Sequence, residues 1–328
     1  MQYLSLFSGI GSESLAWSNL GWNCLAHSEI DKTASSVLSY HYPQIPNLGD
    51  VTKVGWEAYE GRCDLMIGGS PCQSFSVAGE RKGLESDYGN LMLEYINAIK
   101  TVKPRFFIWE NVVGVLSNKT NPFGAFLSHF LGGDDPLQPN KRWGNYGLFF
   151  GKEWSIAYKV VNSEYFGVPH RRRRIYVLGF NYGNCGGLRS QNWGRLERLA
   201  GIPASILFDA ESYPKCSEES NGSQEKTTPS YQRKNGSDHV AKCLTTRANR
   251  SSADENYVVV GDKVRFLTPI EFERLQGFPN NYTLIPHKKS FLSNTARYKL
   301  VGNAMTVPVL SWLGHRIESH SLSLDILV

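Results

Sequence analysis

The stretch Gln2–Leu20, QYLSLFSGIGSESLAWSNL, decides how this chain folds. Gln2–Phe7 has the alternating pattern of a β-strand, a glycine turn follows it, and Glu13–Leu20 has the amphipathic pattern of a helix. A strand that turns directly into a helix is the first half of a βαβ unit, from which parallel sheets are built. The start of the chain therefore favours an α/β fold.

The same alternation continues to about residue 180. Asp31 is predicted to cap a helix that reaches about His41, because an aspartate oxygen can accept hydrogen bonds from the free amides at a helix start. Thr268 is predicted to cap a later helix in the same way. The other segments are predicted strands at Trp22–Ser28, Asp64–Ile67, Phe106–Trp109 and Ile175–Phe180, and a predicted helix at Leu91–Lys100. We expect an α/β fold with a doubly wound, mostly parallel sheet.

The composition changes after about residue 181. Residues 212–238 are rich in Ser, Asn, Gly and Lys and contain almost no large aliphatic side chains, which is typical of loops. We therefore predict two domains. The larger consists of residues 1–181 plus 295–328, and a small irregular domain consists of residues 182–294.

The charge of the chain is unevenly distributed. The formal net charge is +5, but Lys141–Arg250 alone holds 18 lysines and arginines against 9 aspartates and glutamates. Such a region suits a polyanion, although a solvated basic surface is the simpler alternative. The six cysteines lack zinc-site spacing, so we expect no metal. We also expect no export leader and no membrane span, and hence a reducing cytoplasm.

Four short motifs lie where strands of such a sheet would end or begin. In chain order they are Phe7–Gly11 (FSGIG), Gly68–Ser76 (GGSPCQSFS), Trp109–Val112 (WENV) and Val168–Arg174 (VPHRRRR). Open α/β folds bind their ligands at the carboxyl ends of the strands. Taken singly, each motif has an ordinary structural explanation: a glycine turn, a small buried cysteine, the polar end of a strand and a solvated basic patch. The information lies in their combination.

Together, and in this order, the four motifs resemble those of the DNA (cytosine-5)-methyltransferase family. The resemblance implies a fold of the S-adenosylmethionine-dependent methyltransferase type, with S-adenosyl-L-methionine as the cofactor. A carboxylate at the end of the second strand, Glu29, suits ribose hydroxyls, and the resemblance assigns Asp50 to the adenine amine. The cofactor-binding residues predicted in this way are Phe7, Gly9, Gly11, Glu29, Asp50, Leu91 and Asn303.

The resemblance assigns the chemistry to Cys72, Glu110, Arg172 and Arg174. Cytosine is a poor nucleophile at carbon 5, and a thiolate that adds to carbon 6 makes carbon 5 reactive. A buried carboxylic acid can assist by protonating ring nitrogen 3. Because strand side chains alternate, Arg172 and Arg174 are predicted to face one side, with Arg174 on the base carbonyl. His170 stands where the family commonly has glutamine, and we expect only a local hydrogen bond to change.

The predicted contacts with nucleic acid lie in two segments. Residues 73–90 form a basic loop with several glycines beside Cys72, which we interpret as a lid over a base that has left the duplex; an ordinary connecting loop is the alternative. The second segment, residues 245–247, resembles a threonine-rich signature of the family's variable recognition region. The predicted contact residues are Gln73, Arg81, Lys82 and Arg247.

The resulting hypothesis is a monomeric enzyme that methylates cytosine in a specific sequence of double-stranded DNA. Its role would be restriction–modification, with a cognate restriction endonuclease as a partner, or phage self-protection. One alternative is a family member that acts on transfer RNA, although such relatives usually lack a sizeable recognition domain. A second is a catalytically silent DNA-binding relative. A nicotinamide dehydrogenase fits poorly, because serine replaces the third glycine of the dinucleotide motif at residue 14.

Overall fold

A computed structural model describes residues 1–71, 90–183, 201–208, 241, 244, 257–260 and 263–325. Five of the residues singled out above lie outside these ranges, as does the segment 212–238. They are Cys72, Gln73, Arg81, Lys82 and Arg247.

A seven-stranded sheet runs through the described part of the chain, in the order β2-β1-β3-β4-β7-β6-β5. Its strands are β1 (Gln2–Leu6), β2 (Asn23–Ser28), β3 (Leu65–Gly68), β4 (Phe106–Val112), β5 (Tyr146–Phe150), β6 (Trp154–Asn162) and β7 (Arg173–Asn181). The pairings from β2 to β4 are parallel, and those from β4 through β7 and β6 to β5 are antiparallel. Five of these strands therefore point the same way, and only β7 and β5 run against them.

Two short hairpins lie outside this sheet, and helices pack on both of its faces. The hairpins pair β8 (Tyr257–Val260) with β9 (Lys263–Phe266) and β10 (Pro286–His287) with β11 (Ser290–Phe291). The described α-helices are α1 (Ser12–Ala16), α2 (Lys32–His41), α3 (Asn90–Val102), α4 (Pro122–Leu131), α5 (Ile202–Phe208), α6 (Pro269–Gln276), α7 (Asn294–Asn303) and α8 (Val307–Asp325). None of these helices combines the length and the apolar character that a membrane crossing needs.

Alternation along the inner strands divides the core into two layers. In β1, Tyr3 points into one layer and Leu4 and Leu6 point into the other. The first layer contains α8 side chains such as Leu310, and the second contains α3 side chains such as Ile96. Because both faces of the sheet are covered, its central strands are buried except at their ends.

The predicted helix caps are confirmed. The Asp31 carboxylate accepts hydrogen bonds from the amides of Thr33 and Ala34, and α2 begins at the next residue. Thr268 and Glu271 form a reciprocal capping box at the start of α6. Both caps are contacts within three residues, so local sequence is enough to predict them.

Other elements differ from expectation. The predicted helix Glu13–Leu20 is the short α1 followed by a 3-10 turn at Ser18–Leu20. The sequence analysis did not foresee α4, β5 or β6. The proposed division into domains 1–181 plus 295–328 and 182–294 stays a prediction; α5, from the second range, packs against β6 and α8.

Candidate active site

Several of the described site residues lie at the carboxyl edge of the parallel strands. Leu6, the last residue of β1, pairs with Gly68 of β3, and Gly68 pairs with Trp109 of β4. The glycine turn and the segment that leads to Cys72 therefore leave the sheet side by side, and Glu110 lies next to them near the end of β4. Strand β7 enters at the same edge, with Arg174 opposite the last residue of β4. This edge is where α/β folds place their ligands.

Glu110 and Arg174 form an ion pair at this edge. The Nε atom of Arg174 lies 3.3 Å from Oε1 of Glu110, and both side chains are largely shielded from solvent. Glu110 also lies against the backbone that leads to Cys72, because a Cβ at Gly69 would stand 3.2 Å from its Oε2 atom. That Cβ would also be 3.1 Å from Cε of Met305. A carboxyl and a guanidinium held together can serve a ring nitrogen and its neighbouring carbonyl oxygen.

The backbone just before Cys72 is tied to β4 by two hydrogen bonds that the sequence analysis missed. The indole N–H of Trp109 donates to Oγ of Ser70, and the side-chain amide of Asn111 donates to the carbonyl oxygen of Ser70, both at 2.9 Å. All three residues are buried. One signal was available, because the N–H of a tryptophan inside an apolar strand needs a buried acceptor. These bonds hold Ser70, which lies two residues before Cys72 in the sequence.

The glycine turn after β1 is an open cradle that faces Glu29. Its three predicted residues all have positive φ: 54° for Phe7, 57° for Gly9 and 77° for Gly11. The amide of Gly9 donates to Oε2 of Glu29 at 2.8 Å, and the amide of Asp31 donates to Oε1 at 2.7 Å. Burial raises the pKa of Glu29. The turn and the end of β2 are thus joined through this carboxylate.

The two glycines of the turn serve different purposes. A Cβ at Gly11 would stand 2.8 Å from Cε2 of Tyr42, so close packing requires glycine there. A Cβ at Gly9 would meet no atom within 4 Å. The space beside Gly9 can therefore receive a ligand that approaches the backbone.

The other predicted cofactor residues lie on three different elements. Asp50 caps a 3-10 turn at Val51–Lys53, and hydrogen bonds from Thr52 lower the pKa of its carboxyl. Leu91, near the start of α3, packs against the same core layer as Phe7. Asn303 is exposed at the last position of α7.

Arg172 is bound to the last motif of the chain. Its guanidinium donates to the carbonyl oxygens of Gly302 at 3.0 Å and Ala304 at 2.9 Å, and Arg172 is 4% exposed. The side-chain amide of Gln276 donates to the same Ala304 oxygen. Arg172 and Arg174 thus have different partners: the first holds the backbone on both sides of Asn303, and the second pairs with Glu110. The role of Arg172 in the chemistry stays a prediction.

The fold, and the residues at the carboxyl edge of its sheet, are those of an α/β methyltransferase. Strand β7 lies antiparallel between β4 and β6, and a glycine turn follows β1. The chain belongs to the family described as C-5 cytosine-specific DNA methylase, which matches residues 1–198 and 190–319. The family that the four motifs predicted is therefore confirmed.

The individual relatives are methyltransferases, although their names differ in the base that they modify. The chain is 27% identical to the type II methyltransferase M.HhaI of Haemophilus parahaemolyticus, over 97% of this chain and 94% of that protein. It is also 27% identical to a DNA N-6-adenine-methyltransferase of Escherichia phage P1, over 96% of this chain but only 61% of the relative. The chain spans 37% and 33% of two Bacillus phage methyltransferases.

Solved structures support the fold. The crystal structure of the S. pombe Dnmt2 methyltransferase matches with a TM-score of 0.64 and 17% identity, over 97% of this chain and 99% of that one. At that level of identity the likeness concerns the architecture alone.

Proposed function

We propose that the protein is a DNA (cytosine-5-)-methyltransferase that uses S-adenosyl-L-methionine as its methyl donor. The observation that carries the proposal is the Glu110–Arg174 pair, held at 3.3 Å beside the backbone that leads to Cys72. This arrangement would supply an acid and a set of hydrogen-bond donors beside the segment that precedes the candidate nucleophile. Family membership supplies the reaction class.

In the proposed reaction Cys72 adds as a thiolate to carbon 6 of the target cytosine, while Glu110 protonates ring nitrogen 3. Arg174 donates to the base carbonyl oxygen and keeps Glu110 in place. Carbon 5 then takes the methyl group. A water molecule takes the proton from carbon 5, the bond between carbon 6 and the Cys72 sulfur breaks as the ring double bond forms again, and the proton on nitrogen 3 returns to Glu110. The base must leave the duplex stack to reach these groups.

The residues around the glycine turn suit S-adenosyl-L-methionine. The open space at Gly9 admits a ligand close to the backbone, and the Glu29 carboxylate stands at the end of the neighbouring strand. When bound, the cofactor supplies an electrophilic methyl group. Glu29 would accept hydrogen bonds from the ribose hydroxyls, and Asp50, Leu91 and Asn303 would complete the pocket.

The proposed substrate is double-stranded DNA. Residues 182–294 would choose the sequence, with Arg247 reading a base, while Gln73, Arg81 and Lys82 would contact DNA beside the target. A monomer in the cytoplasm, with a role in restriction–modification or phage self-protection and with a cognate endonuclease, completes the hypothesis.

The test is methyl transfer in vitro from labelled cofactor to duplex DNA and to transfer RNA, followed by mass spectrometry of the nucleosides. We expect 5-methylcytosine in the DNA alone, and bisulfite sequencing then gives the recognition site. N6-methyladenine, the product that the name of the phage P1 relative indicates for that protein, would refute the proposed chemistry. Methylation of RNA instead of DNA would refute the proposed substrate.

A further inference from the structure

Tyr282 joins a late part of the chain to the glycine turn after β1. It lies in the stretch between α6 and α7, and its side chain is buried. Its hydroxyl donates a hydrogen bond of 2.8 Å to the carbonyl oxygen of Ile10, which stands between the two glycines of the turn. Ile10 is buried as well. A residue 272 positions later in the chain therefore contacts the turn for which cofactor binding is predicted.

The bond between Tyr282 and Ile10 has a fixed direction, because a carbonyl oxygen can only accept. Burial raises the pKa of Tyr282, so its hydroxyl keeps the proton that it donates. The hydroxyl of Tyr42 lies 3.2 Å from the hydroxyl of Tyr282. Since the Tyr282 proton points to Ile10, Tyr42 is the donor in the bond between the two hydroxyls.

Three successive residues of the turn are thus in contact with three different parts of the chain. The Gly9 amide binds the carboxylate that follows β2, and Gly11 packs against the tyrosine that follows α2. Between them, Ile10 binds Tyr282. Glycines give a backbone access to many conformations, so contacts of this kind are needed to select one of them.

A buried carboxylate fixes the backbone on both sides of Tyr282. Glu273 of α6 is fully buried, and it accepts hydrogen bonds from the amides of Asn281 at 2.6 Å and Thr283 at 2.9 Å. Arg297 of α7 pairs with the same carboxylate at 2.9 Å. The position of Tyr282 is therefore tied to both helices.

The ring of Tyr282 is held by a stack. The ring of His41 lies parallel to it, with 3.9 Å between the centroids and 4° between the planes. The Nε2 atom of His41 also donates to the carbonyl oxygen of Tyr282 at 2.7 Å. Phenylalanine at position 282 would keep this stack and lose only the hydroxyl.

We propose that Tyr282 is a positioning residue for the cofactor, because its hydrogen bond to Ile10 holds the glycine turn in the conformation that receives S-adenosyl-L-methionine. The proposal rests on the proposed function, which supplies the identity of the cofactor. A turn that is ordered before binding loses less conformational freedom when its ligand arrives, and its affinity is higher. Tyr282 need not touch the cofactor for this role.

The experiment compares Tyr282→Phe with Tyr298→Phe in the full-length protein. Tyr298 is the matched control, because its buried hydroxyl also donates to a backbone carbonyl oxygen, that of Leu267, at 2.6 Å. Calorimetric titration with S-adenosyl-L-methionine in the absence of DNA gives the dissociation constant. Hydrogen exchange at residue resolution follows the Gly11 amide, which donates to the Ser8 carbonyl oxygen at 3.0 Å within the turn.

We expect Tyr282→Phe to bind the cofactor about tenfold more weakly, which is within the range for a lost buried hydrogen bond. In the protein without cofactor, exchange of the Gly11 amide should accelerate about tenfold, because the turn then opens more often. The KM for the cofactor should rise, while kcat stays within about twofold of wild type, because bound cofactor restores the turn. Tyr298→Phe should behave as wild type in all of these assays.

Tyr42→Phe provides a second measurement. It leaves the bond from Tyr282 to Ile10 in place and removes only the second partner of the Tyr282 hydroxyl. Hydrogen bonds in a chain strengthen one another, so we expect a smaller loss of cofactor affinity, about threefold. Urea unfolding of each variant checks that it is folded. If Tyr282→Phe does not fold, unchanged affinity in Tyr42→Phe would overturn the proposal.

Three other results would also overturn it. Unchanged cofactor affinity in Tyr282→Phe would mean that the bond does not prepare the turn, whether or not exchange at Gly11 becomes faster. An equal loss of affinity in Tyr298→Phe would mean that any lost tyrosine hydrogen bond has this effect. A kcat that falls as far as the affinity would place Tyr282 in the reaction itself. A wild-type protein that does not bind S-adenosyl-L-methionine would instead refute the proposed function, so the two failures are distinguishable.

Discussion

Replacing Glu110 by glutamine tests the centre of the proposed site. The substitution keeps the size of the side chain but removes its charge, and with it the ion pair to Arg174, whose Nε lies 3.3 Å from Oε1 of Glu110. It removes the proton that the reaction needs at ring nitrogen 3. We expect the rate of methyl transfer to fall by about two to four orders of magnitude, the range for a lost general acid. That fall corresponds to about 3–5 kcal/mol of transition-state stabilisation.

The effect on stability should be smaller. The amide fills the same space, and the cost is that of removing the ion pair from the Arg174 guanidinium, about 1–3 kcal/mol. A domain with a typical stability of about 5–15 kcal/mol would remain folded after this loss. The rate and the free energy of unfolding are therefore separable readouts.

The assay is single-turnover transfer of a labelled methyl group to duplex DNA, with cofactor affinity and urea unfolding measured on the same preparations. Glu164→Gln is a matched control, because Glu164 also pairs with an arginine, Arg171, at 2.9 Å. That variant should keep the wild-type rate. Wild-type turnover in Glu110→Gln, or lost cofactor binding with turnover unchanged, would refute the assignment of Glu110.

Four further outcomes are expected. Cys72→Ser should abolish methyl transfer, because a hydroxyl has far too high a pKa to supply the anion; wild-type protein, but not this variant, should be trapped covalently on 5-fluorocytosine DNA. Arg247→Ala should relax preference at one base position in a mismatch series, whereas Lys226→Ala should weaken all sites alike or have no effect; an unchanged preference removes Arg247 from the recognition set. Ser70→Ala should cost about 1–3 kcal/mol in urea unfolding, because a buried indole N–H loses its acceptor; unchanged unfolding would show that the bond is not needed. Burial raises the pKa of Glu13 from its ordinary 4.5 to about 7, so ionisation at rising pH costs stability in the folded state; relative to wild type, Glu13→Gln should gain stability between about pH 4.5 and 7, and a constant difference across that window would contradict the shift.

Local signals account for the parts of the fold that were predicted well. The caps at Asp31 and Thr268 join a side chain to amides within three residues, so their geometry depends on little else. Strands β1 to β4 are apolar runs that end near a glycine or a polar residue, and their boundaries shift by only a few positions. The hairpin of β5 and β6 was missed, because the stretch before it is interrupted by glycines and prolines and lacks a clear period.

The arginine run shows what side-chain alternation along a strand can and cannot predict. Side chains alternate only inside an extended strand, and β7 begins at Arg173. Arg174 lies within the strand and reaches Glu110. Arg172 lies before it, and a backbone bonded to His170 and Ser163 turns its side chain towards Gly302. Alternation therefore does not reveal which distant groups the two arginines contact, and their facing one side stays a prediction.

The sequence by itself determined the class of fold, the order of the motifs and the family, because these depend on residue types at short spacings. Tertiary structure alone decided which distant groups meet. Glu110 and Arg174 are brought together because β7 pairs antiparallel with β4. His170 pairs with Ala241 through the backbone and accepts a hydrogen bond from the Leu244 amide, some seventy residues later in the chain. Pairing between distant strands is set by how the whole core packs, and no spacing along the chain records it.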